Sequence, residues 1–323
     1  MIAITGAAGF IASNVAALLN RCGRSDLVIV DNFSVDAKRC NWEPLRYALK
    51  VDRREFPQWL DSHHGEVEAL VHLGARTDTT EFDWNVFEEL NLGYTKQMWT
   101  ICARHAIPMV YASSAATYGD GSLGYSDSLD MVGRLQPLNP YGRSKNEFDK
   151  WAIAQRASGV EPPFWAGLKF FNVYGPNEMH KGRMASVVLH TYQSVMARGY
   201  MELFRSHRPD YRDGGQLRDF VYVEDVAEVI LFMLQHKPES GLYNVGTGRA
   251  ETFEELASAT FAAMQRPCDI RYIDIPVDIR DKYQYYTQAD ITRLRQAGYD
   301  KPFKTLRQAV PLYVQQLKEL HSV

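Results

Sequence analysis

Residues 5–13 read TGAAGFIAS and follow a short apolar run, IAIT, at 2–5. A buried strand thus runs into a glycine turn that opens directly into a helix. Gly6 permits the tight turn. Gly9 lets backbone N–H groups approach a pyrophosphate at the helix N-terminus, where the dipole favours an anion. The third fingerprint position, usually a glycine that packs helix against strand, is Ala12, the next smallest residue. Asp31 closes the next apolar run, LVIV at 27–30, where a carboxylate would hold adenosine ribose hydroxyls. The combination points to dinucleotide binding.

Working outward, apolar runs alternate with helix-length segments through the first 175 residues or so. IAIT (2–5), LVIV (27–30), ALVHL (69–73), PMVYAS (108–113) and GLKFFNV (167–173) read as buried strands. Helical segments are expected at 10–22, 54–63, 84–105 and 141–158. This βαβ rhythm predicts an α/β fold, a Rossmann-type doubly wound parallel sheet. After NVYGP the rhythm breaks. A helix near 184–198, a strand MELF at 201–204 and the loop RPDYRDGGQLRDF precede a strand and helix at 218–236. LYNVG (242–246) and helices near 253–264, 290–297 and 305–319 complete the chain. The expected division is a cofactor domain from 1–175 with returning segments near 217–246. A smaller C-terminal α/β substrate lobe then takes 176–216 and 247–323.

Composition removes several classes of function. The 323 residues hold 36 basic and 39 acidic side chains, a net charge of −3 without long blocks of one sign, so no nucleic-acid footprint is expected. No run approaches the length of a membrane span, and the N-terminus lacks a signal layout. Cys22, Cys40, Cys102 and Cys268 are scattered, which fits reduced thiols in a cytoplasm and gives no zinc framework. The nine histidines show no metal-ligand spacing, so no metal is expected.

The chemistry-bearing residues lie further on. YASSAATYG (111–119) ends the strand that would face a nicotinamide, and NPYGRSK (139–145) starts the next helix. Tyr141 and Lys145 are four apart and share a helix face. A free tyrosine is a poor base at neutral pH, and lowering its pKa about 3 units takes roughly 4 kcal/mol of preferential phenolate stabilisation. A Lys ammonium one turn away and a cationic nicotinamide would supply it, while a hydroxyl of the 113–114 pair bonds a substrate oxygen. Beyond Asp31, Lys38 and Arg39 offer two cations for a 2′-phosphate. NADP is the expected cofactor, with NAD as the alternative.

These motifs, with FNVYGP, HKGRMASV, RDFVYVEDV, NVGTGRA and TQADITRLRQAGYDKPFKT, run nearly end to end. On them the sequence resembles the extended short-chain dehydrogenase/reductases (the NAD-dependent epimerase/dehydratase family) and, within them, the ADP-heptose 6-epimerases. SSAATYG, HKGRMAS and AGYDKPFKT are the stretches particular to that subgroup. Ala12 for Gly, and Arg53 where the subgroup often has Lys, are mild departures.

The resemblance implies epimerisation at C6 of the heptose of ADP-D-glycero-D-manno-heptose, by transient oxidation and re-reduction with tightly bound NADP, in lipopolysaccharide core precursor synthesis. It implies Tyr141 and Lys181 as the two acid/bases, Lys145 as the residue that tunes Tyr141 and holds the nicotinamide ribose, and Ser114 as the catalytic hydroxyl. Phe10, Ile11, Asp31, Asn32, Lys38 and Arg53 would line the cofactor site with Gly74, Ala75, Arg76, Thr77, Asn91, Val173 and Lys181. Asn172, Arg183, His190, Phe204, Arg205, Ser206, His207, Arg218 and Tyr283 would face the ADP-heptose. A homo-oligomer, a pentamer, is also implied. On charge alone the alternative for Lys181 is a diphosphate ligand. Rival readings are another nucleotide-sugar 4-epimerase or reductase, a 4,6-dehydratase, and a non-catalytic cofactor-binding regulator. The missing Thr-Asp-Glu triplet after SSAATYG counts against dehydration, and retention of Tyr141 and Lys145 counts against a regulator.

Overall fold

The computed structural model describes residues 1–280 and 283–321. In chain order the first elements are β1 (Ile2–Thr5), α1 (Phe10–Arg21), β2 (Leu27–Asp31), α2 (Arg39–Trp42), β3 (Leu49–Asp52), α3 (Phe56–Ser62) and β4 (Ala69–His72). Then come α4 (Trp84–Phe87), α5 (Tyr94–Arg104), β5 (Met109–Ser114), α6 (Pro140–Ala157), β6 (Trp165–Phe170) and β7 (Asn172–Tyr174). The remainder holds α7 (Val187–Arg198), β8 (Met201–Phe204), β9 (Leu217–Arg218), β10 (Phe220–Tyr222), α8 (Val223–His236) and β11 (Gly241–Val245). It closes with β12 (Glu251–Thr252), α9 (Phe253–Met264), β13 (Ile270–Ile273), α10 (Val277–Arg280), α11 (Thr292–Gln296) and α12 (Leu306–His321).

Strands β1 to β6 and β11 form one seven-stranded sheet in the order β11-β6-β5-β4-β1-β2-β3. Every pairing in it is parallel. Strand order reverses between β1 and β4, so the loops leaving their carboxyl ends diverge and open a crevice. Both faces of β1 are buried, and its side chains alternate between two cores. Ile2 and Ile4 join α1 and α8 in one; Ala3 joins Trp99 of α5 and Phe148 of α6 in the other. A third core gathers α7, α9 and α12 around β8 and β10. Leu294, Tyr299 and Phe303 pack into the core under α1 and α8. Of the expected lobe segment 247–323, residues 281, 282, 322 and 323 lie outside the described residues.

Several elements differ from the sequence expectation, the unexpected strands β12 and β13 and short helices α2 and α10 among them. Strand β3 was not expected, because of its four residues only Val51 is buried and no apolar run announces it. The segment 84–105 is not one helix, since residues Glu88–Gly93 form a π-helical turn between α4 and α5. The run 167–173 is two strands: after Phe170 the chain leaves the main sheet, and Asn172–Tyr174 pairs with β10 instead.

The crevice floor is set by two glycines. Gly6 has φ +71°, and a Cβ there would meet the Gly74 Cα and N at 2.8 Å. The ends of β1 and β4 therefore touch through backbone alone. Gly23 has a similar φ, +83°, with nothing within 4 Å of a Cβ. Gly23→Ala is expected to cost only the left-handed backbone penalty, about 1–2 kcal/mol. Gly6→Ala adds a backbone collision and is expected to cost clearly more, as compared by urea unfolding of the two variants.

Candidate active site

The first turn of α1 follows Gly9, with no side-chain cap and no acidic residue. Its N–H groups are thus available to an anion. Ala12 is buried in the core under the sheet, so a small side chain suffices for helix–strand packing. Asp31, at the end of β2, accepts from the Ala8 N–H at 3.0 Å and the Asn32 N–H at 2.7 Å. The Lys38 ammonium lies 3.6 Å from its carboxylate. Arg39 does not join it: its guanidinium turns to Glu43 one helical turn on, at 2.8 Å, so one cation of the expected pair points away.

A cleft of about 1140 Å³ runs from this turn along the carboxyl ends of the strands. Of the expected residues, Gly6, Gly9, Phe10, Ile11, Asp31, Lys38, Arg53, Gly74, Ala75, Arg76 and Thr77 line it, together with Tyr141, Lys145 and Lys181. The glycine cradle, the open helix N-terminus and the carboxylate at the end of β2 fit a dinucleotide. Asn32, Asn91 and Val173 are not among the lining residues. Asn91 lies in the π-helical turn and acts from behind. Its side chain accepts from the Arg76 N–H at 2.8 Å, donates to the Arg76 carbonyl at 3.0 Å and to the Ser144 hydroxyl at 3.0 Å. It fixes the loop after β4 and leaves the cleft to that loop.

Tyr141 and Lys145 occupy the first turns of α6, where Asn139 caps the helix by accepting from the Gly142 N–H at 2.8 Å. Strand alternation separates the two serines of β5. Ser113 borders the cleft, yet its hydroxyl donates inward to Asp149 at 2.7 Å. The Ser114 hydroxyl accepts from the Ala116 N–H at 3.1 Å and engages the Tyr141 phenol. Lys145 donates to the Ala112 carbonyl at 2.8 Å.

Burial pushes the Tyr141 phenol up from its ordinary value, opposed by the Ser114 hydroxyl. Lys145 is itself desolvated and pushed down to about 8, with Asp149 acting in the opposite sense. Desolvation of the phenolate outweighs the hydroxyl's help, and the lysine is pinned to a carbonyl. The protein's own groups raise the phenol, so the expected lowering falls to the cationic nicotinamide that the sequence argument paired with Lys145.

Lys181 comes from the 3₁₀ stretch Met179–Met184, its ammonium 5.1 Å from the centre of the Phe10 ring. Burial lowers its pKa and Glu178 opposes that. His180, which the sequence argument passed over, lines the same cleft and is pushed down to about 4, mainly by burial and then by Lys38 and Lys181. Its place beside Lys181 was the available signal.

The residues expected to face the sugar nucleotide are not among those lining this cleft. Phe204, Arg218 and Tyr283 come together in a separate cluster. The Phe204 and Tyr283 rings are 5.9 Å apart, edge to face, and the Arg218 guanidinium is 5.6 Å from the Tyr283 ring. Buried Arg218 donates to the Leu217 carbonyl at 2.8 Å and to the Gln284 carbonyl. The Ser206 N–H bonds Asp213 at 2.8 Å, the His207 N–H bonds the Tyr285 hydroxyl at 2.9 Å, and Arg205 lies 3.7 Å from Asp274. Asn172 and Arg183 are exposed, and His190 is half-buried on α7.

Among the described residues no group of His, Cys, Asp or Glu could hold a metal ion, and no helix is long and apolar enough to cross a membrane.

A parallel sheet with a phosphate cradle at its switch point and a Ser–Tyr–Lys set at the next strand end defines a nicotinamide-dependent enzyme of the short-chain type. The chain belongs to the NAD dependent epimerase/dehydratase family, whose model matches residues 2–246. It is 44% identical to the ADP-L-glycero-D-manno-heptose-6-epimerase of Fusobacterium nucleatum, over 98% of this chain and 97% of that one. It is 46% identical to the protein of the same name from Nitratidesulfovibrio vulgaris, over 98% and 97%. The crystal structure of the Helicobacter pylori ADP-L-glycero-D-manno-heptose-6-epimerase superposes with a TM-score of 0.80 at 28% identity, covering 100% of this chain and 96% of that chain. The Thermus thermophilus UDP-glucose 4-epimerase in complex with NAD gives 0.79 at 25% identity, covering 98% of each.

His72 tests the buttress behind the cleft. Its ring bonds the Thr5 hydroxyl at 2.7 Å and the Thr95 hydroxyl at 3.0 Å, and burial pushes it down to about 3. The unfolded chain therefore takes up a proton below about 6.5 that the fold refuses until about 3. Stability from this group is complete above that window and declines as pH falls through it. Urea midpoints followed from pH 7 to pH 4 are expected to fall, and His72→Gln should flatten the slope while lowering stability at pH 7.

Proposed function

We propose that this chain interconverts ADP-D-glycero-D-manno-heptose and ADP-L-glycero-D-manno-heptose by inverting C6, using NADP. The observation that carries the reading is the shared cleft. Tyr141, engaged by Ser114, lies with Lys145 on one side, and Lys181 lines the same cleft from a separate loop. The names of the relatives at 44% and 46% identity support the substrate.

The carbon inverted is outside the sugar ring. Rotation about one exocyclic bond turns the opposite carbonyl face toward the cofactor while the ring stays put. The oxygen then changes sides, and a second proton donor is needed there. NADP, held by Gly6, Gly9, Asp31 and Lys145, would supply the hydride acceptor and donor for C6. Tyr141 exchanges the hydroxyl proton on one side, Ser114 holds the oxygen, and Lys181, a buried amine with a lowered pKa, does the proton work on the other. Phe204, Arg218 and Tyr283 hold the ADP end. Gly6, Gly9, Asp31 and Lys145 hold the cofactor, and Lys38 beside Asp31 offsets a carboxylate that would otherwise repel a 2′-phosphate. The reading carries with it a cytoplasmic homo-oligomer supplying lipopolysaccharide core precursors.

Lys38→Ala is expected to weaken NADP more than NAD in a binding titration, and equal losses would remove the 2′-phosphate role. Tyr141→Phe should keep the fold and the cofactor while lowering turnover at least ~10²-fold. Lys181→Met is expected to lower kcat and kcat/KM together, whereas Arg183→Met should raise KM with little change in kcat. A KM effect alone in both would make Lys181 a diphosphate ligand and end the two-base mechanism.

A further inference from the structure

One buried ion pair lies beneath the site and has no part in the mechanism above. Tyr141, Lys145 and Asp149 follow each other at four-residue intervals on α6 and so share one helix face. The first two reach the cleft, and the third lies one turn deeper. The side chains of Asp149 and of Lys169, on β6, are 0% exposed, and their charged atoms are 2.8 Å apart. Asp149 also accepts from the Ser113 hydroxyl at 2.7 Å and the Tyr111 hydroxyl at 3.1 Å. Lys169 completes its shell by donating to the Thr117 hydroxyl at 2.8 Å. A single point thus joins β5, β6, α6 and the 3₁₀ turn Ala115–Tyr118. Desolvating two charges is costly, and a well-packed apolar pair would often be as stable. Stability alone gives little reason for this pair to stand directly under the reacting residues.

We propose that Asp149, held by Lys169, is a positioning residue for the reaction: it locks the Ser113–Ser114 strand end against the Tyr141–Lys145 face of α6. With the Ser113 hydroxyl held inward, strand alternation turns Ser114 toward Tyr141. The carboxylate also gives the desolvated Lys145 ammonium a buried countercharge. The titratable groups around Lys145 are Asp149 and Tyr141 on its own helix, His72 on β4 and, through Asp149, Lys169 on β6. The inference rests on the acid/base reading of Tyr141 and extends it to residues that do not line the cleft.

The test uses the full chain with Asp149→Asn/Lys169→Met, which removes both charges of the pair together, and with Lys169→Arg, which keeps the pair. Thermal midpoint, NADP affinity from pH 6 to pH 10, and kcat and KM for the ADP-heptose over the same range are measured. The double variant is expected to stay folded, to hold KM within a few-fold and to lose about tenfold or more in kcat. Without the carboxylate, Lys145 loses its proton at lower pH. The alkaline limbs of both kcat and NADP affinity should therefore move to lower pH, and Lys169→Arg should retain wild-type limbs. A folded double variant with wild-type kcat and unmoved limbs would overturn the proposal and leave the pair purely structural. Should the double variant not fold, a folded Asp149→Asn variant that loses kcat and whose limbs move to lower pH, beside an arginine variant that keeps both, would support positioning. An arginine variant that keeps kcat and limbs while the single Asp149→Asn variant also keeps them would overturn it. The NADP-affinity limb needs no sugar substrate. Failure of the wild type to turn over ADP-heptose would thus count against the substrate reading alone.

Discussion

Everything in this molecule's site hangs from the contact between two backbones, Gly6 at the end of β1 and Gly74 after β4. No side chain fits between them. The contact occurs at the point where strand order reverses, so the loops on either side are forced apart and the crevice opens above it. Thr5 reinforces it from below: its hydroxyl meets the His72 ring at 2.7 Å and accepts from the Gly74 N–H at 3.1 Å. The network continues from His72 to Thr95, and from Thr95 to the Asn91 carbonyl at 2.5 Å, reaching the turn whose side chain holds Arg76. A chain of buried polar groups, each satisfied, thus carries the position of β1 to the loop that edges the cleft.

On the other side of the crevice the polar burial has a different character. Lys145, Asp149 and Lys169 are charged groups taken out of water, which is tolerable because each has a hydrogen-bond partner at 2.7 or 2.8 Å. The environment raises the phenol of Tyr141 and lowers the ammonium of Lys145, so neither is at its ordinary value. The Lys145 shift runs toward neutrality and the Tyr141 shift away from it; perturbed groups gathered in a cleft mark a functional site, and ion pairs elsewhere on the surface, such as Arg39–Glu43, lack that setting.

Relatives across nearly the full chain share one name, while likenesses to UDP-sugar enzymes at about a quarter identity or less share the scaffold. The scaffold accounts for the cofactor half. Met179–Met184 and the cluster of Phe204, Arg218 and Tyr283 lie where the βαβ rhythm has stopped.

That division also marks what the sequence alone determined. Strand–helix alternation, the glycine turn, Asp31 and the Tyr141/Lys145 spacing are local patterns, because burial on both sheet faces and the helical repeat write themselves into neighbouring residues. What the tertiary structure decided depends on residues far apart in the chain. Nothing in the run at 113–114 says which serine faces inward until Asp149, 36 residues away, is brought beneath it. The resemblance implies Asn91 as a cofactor residue, and only the π-helical turn shows that its side chain also anchors the backbone of Arg76. Strand β3 pairs at the sheet edge on backbone hydrogen bonds that its polar side chains do not announce. Arg39 and Lys38 are adjacent and equally charged, yet Glu43 draws one away while Asp31 keeps the other at the cleft. Long-range hydrogen bonds and charge pairing decide such choices, and they have no period in the sequence.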